Sequence, residues 1–205
     1  MIPLLLLSVA ISVAQETITS PAIGSAAPAF LGHDDQGLEH RLENYRGKWV
    51  VLEWHEKGCP YVTKHYRSGN VPALQAEWTS RGVVWLLINS STAGSHSFLT
   101  PTESKEYMSS IKSAATASLL DPEGRIGRAY GALTALHMVV INPEGKIVYL
   151  GAIDDKPTTS AADIPGARNY VRDALTQAMA GKPVATPSTT PYGCSVHYAA
   201  TTGIK

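Results

Sequence analysis

The residue best placed to carry out chemistry is Cys59, in the segment Gly58-Cys59-Pro60. A run typical of a buried strand precedes it over residues 49–54, and Pro60 suits the first turn of a helix. The N-terminus of a helix offers unpaired N–H groups and a positive dipole end, which stabilise an anion. Because the thiolate is the reactive form of cysteine, this position predicts a nucleophile rather than an inert core thiol.

Charged side chains close to Cys59 in the sequence should tune this thiol. Lys57, Lys64 and His65 are expected to lower its pKa, because a positive charge stabilises the thiolate. Glu56 is expected to oppose them, because a carboxylate disfavours a second negative charge nearby.

Cys194 is the only other cysteine and lies 135 positions further along the chain. It belongs to a Pro/Thr/Ser-rich tail, residues 182–205, with the composition of a linker or a disordered terminus, although Tyr192 and its neighbours give it something to pack with. Three alternatives remain open. Cys194 is a redox partner that condenses with oxidised Cys59, one half of a static structural disulfide, or a free thiol.

Composition excludes several classes of function. The chain has 205 residues, 17 basic and 17 acidic, so no bulk positive charge favours nucleic acid or an acidic membrane. Two cysteines cannot form a disulfide-rich miniprotein or a four-thiolate zinc site. No dinucleotide fingerprint and no Gly-x-Ser-x-Gly nucleophile motif is present. The length suits one domain with a sizeable core.

The two ends of the sequence differ from its middle. Residues 1–14 are uncharged and largely apolar, and they end in the small residues Ser12-Val13-Ala14, which is typical of a minimal secretory signal. We therefore expect a signal peptide over 1–14, a domain over 15–181 and a tail over 182–205. Export would place the protein in the periplasm or outside the cell, where disulfides persist. No membrane span is expected in the mature chain.

Between the ends, strand and helix patterns alternate, which predicts an α/β fold with parallel strands and a terminal antiparallel hairpin. Turn residues around Asp34 and Gly37 predict a further small hairpin near the N-terminus. Asp154-Asp155-Lys156 is expected to be a solvated loop. The predicted strands cover 49–54, 83–89, 118–120, 138–141 and 146–150. The predicted helices start at Pro60, cover 73–80, run from Pro101 to about 112, and cover 126–130 and 168–180.

Several of these segments together resemble the thioredoxin superfamily, in particular its peroxiredoxin-like branch, the alkyl hydroperoxide reductase/thiol-specific antioxidant group. They are Pro28-Ala29-Phe30, residues 42–54, Gly58-Cys59-Pro60, residues 120–124 and residues 141–146. The ending, residues 192–198, is similar to exported bacterial redoxin-domain proteins.

The resemblance implies a thioredoxin-like fold, a central mixed sheet flanked by helices. It also implies thiol-disulfide exchange or thiol-dependent peroxide reduction, with Cys59 as the catalytic nucleophile and Cys194 as a resolving cysteine near the C-terminus. No dissociable cofactor is implied. The partners would be an external thiol donor or a disulfide-bearing protein. The rim of the site would comprise Pro60, Tyr61, Glu56, Leu136 and His137.

The sequence departs from the pattern of these relatives in three places. Val62 stands where thioredoxins carry the second cysteine of C-x-x-C, so no local disulfide can form. Leu52 and Glu56 stand where typical peroxiredoxins carry proline and a peroxide-binding Thr or Ser. Leu136 takes the place of the cis-proline of thioredoxins, and the peptide bond before it is therefore predicted to be trans.

Two alternatives to catalysis remain. The segment from His55 to Pro60 resembles the C-x-x-x-C-P motif of copper chaperones that share this fold, with His55 in place of the first cysteine. Since thiolate and imidazole suit copper, His55, Cys59 and His137 form the candidate metal site of a copper carrier. The second alternative is a non-catalytic redoxin domain in which a Cys59–Cys194 disulfide only ties the tail.

Overall fold

The computed structural model describes residues 20–199, so the predicted signal segment 1–14 lies outside the described residues. Seven strands form one mixed sheet with the order β2-β1-β5-β4-β3-β6-β7. The predicted α/β architecture is confirmed. The strands are β1 (Leu31–Asp34), β2 (Glu39–Arg41), β3 (Val50–Trp54), β4 (Val84–Asn89), β5 (Ala117–Leu120), β6 (Met138–Ile141) and β7 (Ile147–Gly151).

The centre of the sheet is parallel and buried on both faces. Strands β3 and β4 pair in parallel from Val50 opposite Val84 to Trp54 opposite Ile88, and every residue of both strands is buried. This is why their sequences are apolar runs rather than alternating patterns. The helices that surround the sheet are α1 (Pro60–Arg67), α2 (Asn70–Thr79), α3 (Pro101–Ser110), α4 (Arg125–Ala129) and α5 (Tyr170–Met179).

Two apolar clusters form the core, one on each face of the sheet. One contains residues of α1, α2 and α5, such as Val62, Leu74 and Leu175. The other contains Ile126 of α4 and Trp54, whose side chain emerges from β3 on the opposite face. Consecutive strand residues point to opposite faces, so β3 contributes to both clusters.

Two helix starts show which local signals were informative. Helix α3 starts at the predicted Pro101 and has a capping box, because Thr100 accepts from the N–H of Glu103 and the Glu103 carboxylate accepts from the N–H of Thr100. Helix α2 begins at Asn70, three residues before the predicted start. Pro72 does not interrupt it, since the N–H groups of the first helical turn need no intrahelical partner.

The predicted N-terminal hairpin is also confirmed, as β1 and β2. The Asp34 carboxylate accepts from the N–H groups of Gln36 and Leu38, both at 2.9 Å, and closes the turn. Strand β1 then pairs antiparallel with β5, so the hairpin extends the central sheet at one edge.

The described part of the tail is not a free linker. Leu150 of the edge strand β7 donates to the carbonyl of Pro187 at 3.1 Å, and Thr189 donates back to Leu150 at 3.2 Å. Composition pointed to a linker, but an edge strand presents unpaired backbone groups that a polar segment can satisfy. The linker-like composition is therefore a poor guide to residues 187–199, and Tyr192 packs against Tyr61 of α1.

Within residues 20–199, none of the helices combines the length and the apolar character needed to cross a bilayer.

Candidate functional site

Cys59 lies at the strand-to-helix turn that the sequence predicted. Strand β3 ends at Trp54, the chain turns at Gly58 with φ +85°, and Cys59 is the N-cap residue of α1 with Pro60 in the first turn. Only 3% of Cys59 is exposed. No side chain caps this helix, so the first N–H groups of α1 remain available to an anionic sulfur.

Cys59 forms a disulfide with Cys194, and their Cα atoms are 5.8 Å apart. The backbone N–H of Cys194 also donates to Sγ of Cys59 at 3.3 Å. The structure thus pairs the two predicted cysteines and leaves no free thiol among residues 20–199. Of the three alternatives for Cys194, the redox partner and the structural tie remain.

The tail residues around Cys194 pair with the loop before β6 as a short strand would. The N–H of Ala135 donates to the carbonyl of Cys194 at 2.8 Å, and the N–H of Val196 donates to the carbonyl of Leu133 at 2.9 Å. Gly193 has φ +147°, and a Cβ placed on it would lie 2.2 Å from the carbonyl oxygen of Ala135. This close approach requires glycine.

Leu136 follows this loop and faces the turn that carries Cys59. It is fully buried, has φ +59°, and donates its N–H to the carbonyl of Trp54 at 2.7 Å. No peptide bond in residues 20–199 is cis, which confirms the predicted trans bond. A left-handed leucine is unusual, and here the backbone bond to β3 holds it.

His65 belongs to a buried polar cluster rather than to a free charged surface. Its Nδ1 contacts the Asn70 amide at 2.8 Å, and its Nε2 lies 3.2 Å from the Tyr192 hydroxyl and 3.8 Å from Asp154. Burial lowers the pKa of His65 to about 4, although the negative charge of Asp154 acts to raise it. The ring is therefore neutral near pH 7, and its predicted activation of the thiol by positive charge would first require protonation.

Asp154 is the residue of this cluster that sequence reasoning placed wrongly. It is 2% exposed rather than solvated, accepts from the Tyr192 hydroxyl at 2.5 Å and accepts from the Lys156 N–H at 2.9 Å. Asp154 is in contact with Tyr192 of the tail, and no local sequence pattern indicates this contact.

The two lysines near Cys59 have different surroundings. Lys64 is buried, and its ammonium donates to the carbonyl of Lys156 at 2.8 Å. Lys57 is exposed, with its ammonium 5.9 Å from the ring centre of Tyr107. Tyr61, predicted at the rim, packs edge-on against Tyr192 of the tail at 5.6 Å between ring centres. The activating role of both lysines stays a prediction.

Glu56 is buried beneath the tail. It is 1% exposed, accepts from the Ser91 hydroxyl at 3.4 Å, and is bonded by the backbone N–H of His197. Burial raises its pKa to about 7 and outweighs these bonds. The predicted rim residue is thus a covered carboxyl that the tail helps to enclose.

The candidate copper ligands are not brought together. His55 packs edge-on against Tyr66, which belongs to the apolar cluster formed with α1, α2 and α5, with 5.1 Å between ring centres. His137 packs against Trp54, which belongs to the cluster on the other face of the sheet, with 5.6 Å between ring centres. Burial lowers their pKa values to about 3 and about 4, and neither ring has a hydrogen-bond partner among the described residues. Residues 20–199 contain no group of three or more His, Cys, Asp or Glu placed to hold a metal.

With this geometry in place, comparison with known proteins identifies the family. The sequence profile described as the AhpC/TSA family matches residues 23–150. The chain belongs to the AhpC/TSA family. The resemblance inferred from its motifs is therefore confirmed.

A curated relative matches part of the chain. The chain is 42% identical over 55 residues to "Thiol-disulfide oxidoreductase ResA" of Geobacillus thermodenitrificans, a match covering 23% of this chain and 32% of that protein. The match thus spans about a third of the relative's length.

Solved structures extend the likeness across the fold. A hypothetical protein of Sinorhizobium meliloti superimposes with a TM-score of 0.74 at 21% identity, covering 89% of this chain and 97% of that one. The thioredoxin domain of a thiol-disulfide oxidoreductase from Bacteroides vulgatus superimposes with a TM-score of 0.51 at 23% identity. This match covers 64% of this chain and 89% of that one. The thioredoxin-like fold of this AhpC/TSA member is thus confirmed.

Glu53 is a chemically notable residue of this AhpC/TSA domain that the sequence analysis passed over. It lies in the middle of β3, is fully buried, and accepts from Tyr66 at 2.8 Å, Trp85 at 2.8 Å and Gln75 at 3.1 Å. Burial raises its pKa to about 7 despite these bonds. A single acidic residue inside an apolar strand pattern was the available signal.

Proposed function

We propose that this AhpC/TSA domain catalyses thiol-disulfide exchange with the Cys59–Cys194 pair as its redox couple. One observation carries the proposal: the disulfide links the N-cap residue of α1 to a separate C-terminal segment. A thiolate at Cys59 gains the helix N–H groups and dipole. Its partner lies on a C-terminal segment outside the seven strands of the sheet.

The reaction starts from the reduced pair. The Cys59 thiolate attacks one sulfur of a partner disulfide, forms a mixed disulfide and releases the first partner thiolate. The Cys194 thiolate then attacks Sγ of Cys59, which forms the bond seen in the structure and releases the second partner thiolate. Two electrons pass from the cysteine pair to the partner, and an external thiol donor restores the pair.

The residues around Cys59 favour a disulfide substrate over a peroxide. The position that typical peroxiredoxins fill with a peroxide-binding hydroxyl is occupied by Glu56, which is buried under the tail. Because burial raises its pKa to about 7, Glu56 is partly ionised at neutral pH. The ionised form repels the thiolate and offers no hydroxyl donor. Peroxide reduction with Cys194 as resolving cysteine is the alternative enzymatic outcome.

A structural tie is the competing function of the disulfide, and the 3% exposure of Cys59 favours it. The two functions require different reduction potentials of the disulfide. A disulfide that cycles is reduced by mild thiols, whereas a structural one resists them. Redox titration against glutathione buffers distinguishes the two.

We also propose that the protein acts outside the cytoplasm. The support is the signal-like segment 1–14 together with a disulfide that an oxidising compartment would preserve. Cell fractionation with an antibody against residues in the 20–199 region tests this. Recovery of the shortened chain with the cytoplasm would contradict it.

Replacement of each cysteine tests the catalytic proposal. Cys59→Ser should abolish thiol-dependent reduction of a small disulfide peptide, because the nucleophile is lost. Cys194→Ser should accumulate a mixed disulfide at Cys59 that mass spectrometry detects, because nothing resolves it. Ser195→Ala, next to the tail cysteine and exposed, is the matched control and should retain activity. Equal turnover by parent and Cys59→Ser would disprove the proposal, and turnover only of hydrogen peroxide would favour the peroxidase alternative.

A further inference from the structure

A cavity of about 610 Å³ lies beside α1, and we call it the Lys112 pocket. Its walls come from the end of α1, the start of α2 and the end of α3. Ligand sites in proteins commonly measure roughly 300–1,000 Å³, so this volume suits a small molecule. None of the chemistry described so far uses this space.

The charge of the pocket is one-sided. Lys57, Arg67 and Lys112 line it, and no Asp or Glu does. Within residues 20–199, none of these three side chains forms an ion pair with a carboxylate. Glu103 at the start of α3 is within the field of Lys57 but does not line the cavity. The local field therefore attracts anions in a chain whose net charge is zero.

The rest of the wall is mixed, with the hydroxyl residues Thr63, Ser68 and Ser110 beside an apolar part. The rings of Tyr66 and Tyr107, together with Pro72 and Ile111, provide surface for a short carbon skeleton. Cations above an aromatic wall fit a compact organic anion better than an inorganic ion, because the apolar surface would gain nothing from the latter.

The pocket reaches the redox site at Gly58. This residue lines the cavity and is covalently joined to Cys59, and a Cβ built on it meets nothing within 4 Å. The space at the turn is therefore open, whereas Cys59 itself is 3% exposed and does not line the pocket. Cys194 reaches Cys59 along the loop 133–135, whose residues do not line the pocket. Cys194 and a molecule bound in the pocket would thus lie on different sides of Cys59.

We propose that the Lys112 pocket binds a small thiol with two carboxylates or comparable negative charge, and that this thiol is the reductant of the Cys59–Cys194 disulfide. The inference rests on the proposed exchange function and names the class of its electron donor. The bound thiolate attacks Sγ of Cys59, the S–S bond breaks, and Cys194 leaves as a thiolate that takes up a proton. A second molecule of the thiol attacks the mixed disulfide and releases Cys59. Two thiols are oxidised to one disulfide, and the protein disulfide is reduced to two thiols.

The test compares two probes, mercaptosuccinate, a dicarboxylate thiol, and 2-mercaptoethanol, which is neutral. The rate constant of disulfide reduction is measured for the parent and for the double variant Arg67→Gln, Lys112→Asn. Asparagine is chosen because Lys112 has φ +54° and asparagine tolerates that conformation. Lys182→Asn removes an exposed cation outside the pocket lining and is the matched control.

We expect the ratio of the mercaptosuccinate to the 2-mercaptoethanol rate constant to fall about tenfold in the double variant, since two charge contacts are lost. It should stay unchanged in Lys182→Asn. Succinate should compete with mercaptosuccinate in the parent but leave the reaction of 2-mercaptoethanol unaffected. Because each variant is compared with itself across two thiols, a change in stability or in the reactivity of the disulfide cancels.

The outcomes separate this inference from the function on which it rests. An unchanged ratio in the double variant, with both thiols active, would overturn the assignment of the pocket and leave the exchange function standing. Failure of both thiols to reduce the disulfide of the parent would overturn the exchange function itself.

Discussion

The hydroxyl of Tyr192 donates a 2.5 Å hydrogen bond to the buried carboxylate of Asp154. This contact joins the segment that carries Cys194 to the loop after β7. It involves neither cysteine, so the tail has a second attachment beside the disulfide.

Tyr192→Phe should loosen the tail. The variant removes a hydroxyl that contacts both Asp154 and His65 and leaves buried polar atoms short of a partner, at a cost of roughly 1–3 kcal/mol. We expect faster reduction of the disulfide by dithiothreitol, measured by stopped-flow tryptophan fluorescence. Tyr170→Phe is the control, because its hydroxyl has no hydrogen bond among the described residues. Equal reduction rates for Tyr192→Phe and the parent would show that this contact does not hold the tail.

Gly193→Ala should weaken the pairing of the tail with the loop before β6. The added Cβ would lie 2.2 Å from the Ala135 carbonyl oxygen at a backbone conformation that favours glycine, and such strain costs roughly 1–3 kcal/mol. The reduction potential of the disulfide should therefore rise, as measured by equilibrium with glutathione. Gly166→Ala, where a Cβ meets nothing within 4 Å, should keep the parent potential. A parent-like potential in Gly193→Ala would mean that the tail accommodates the methyl group.

Glu53→Gln should flatten the pH dependence of stability at neutral pH. The pKa of Glu53 is raised by burial from 4.5 to about 7, so its contribution is fully present below pH 4.5 and is lost as the pH rises through 7. This loss is on the order of 3 kcal/mol and is absent with glutamine. Urea unfolding at several pH values between 4.5 and 8 measures the difference between variant and parent. A difference that does not change with pH would contradict the raised pKa.

His55→Phe should make the protein more resistant to acid. Burial lowers the pKa of His55 from 6.5 to about 3. The stability this neutral ring contributes is therefore present above pH 6.5 and is lost as the pH falls towards 3. Between pH 7 and about 4.5 the free energy of unfolding of the parent should fall by roughly 2 kcal/mol more than that of the variant. Thermal unfolding at the two pH values provides the comparison, with His33→Phe on the exposed hairpin strand as control. Parallel acid sensitivity of His55→Phe and the parent would refute the prediction.

Local patterns were sufficient for the elements around Cys59. The apolar run of β3, the turn at Gly58 and the proline of α1 are each set by neighbours in sequence, and this is why the strand-to-helix turn was predictable. The capping box at Thr100 is equally local. The predicted start of α2 lies just after Pro72, whereas the helix begins at Asn70, because proline costs little in a first turn.

Contacts between distant segments could not be predicted in the same way. The state of Cys194 depends on the pairing of the tail with Ala135 and on the burial of Asp154, and neither residue carries a local signal for it. The candidate copper ligands are kept apart for a reason of geometry. His55 and His137 are both close to the Cys59 turn, but their rings pack into clusters on opposite faces of the sheet.

The attachment of the tail to β7 limits how far Cys194 can travel. Thr189 is bonded to Leu150 of the edge strand, and only residues 190–193 lie between this anchor and the cysteine. A stretch of that length reaches at most roughly 18 Å when fully extended. After reduction, Cys194 therefore stays on a short tether beside Cys59 at an effective concentration in the millimolar range or above. Ring closure is then intramolecular, so a partner held at Cys59 is released by a step whose rate does not depend on protein concentration.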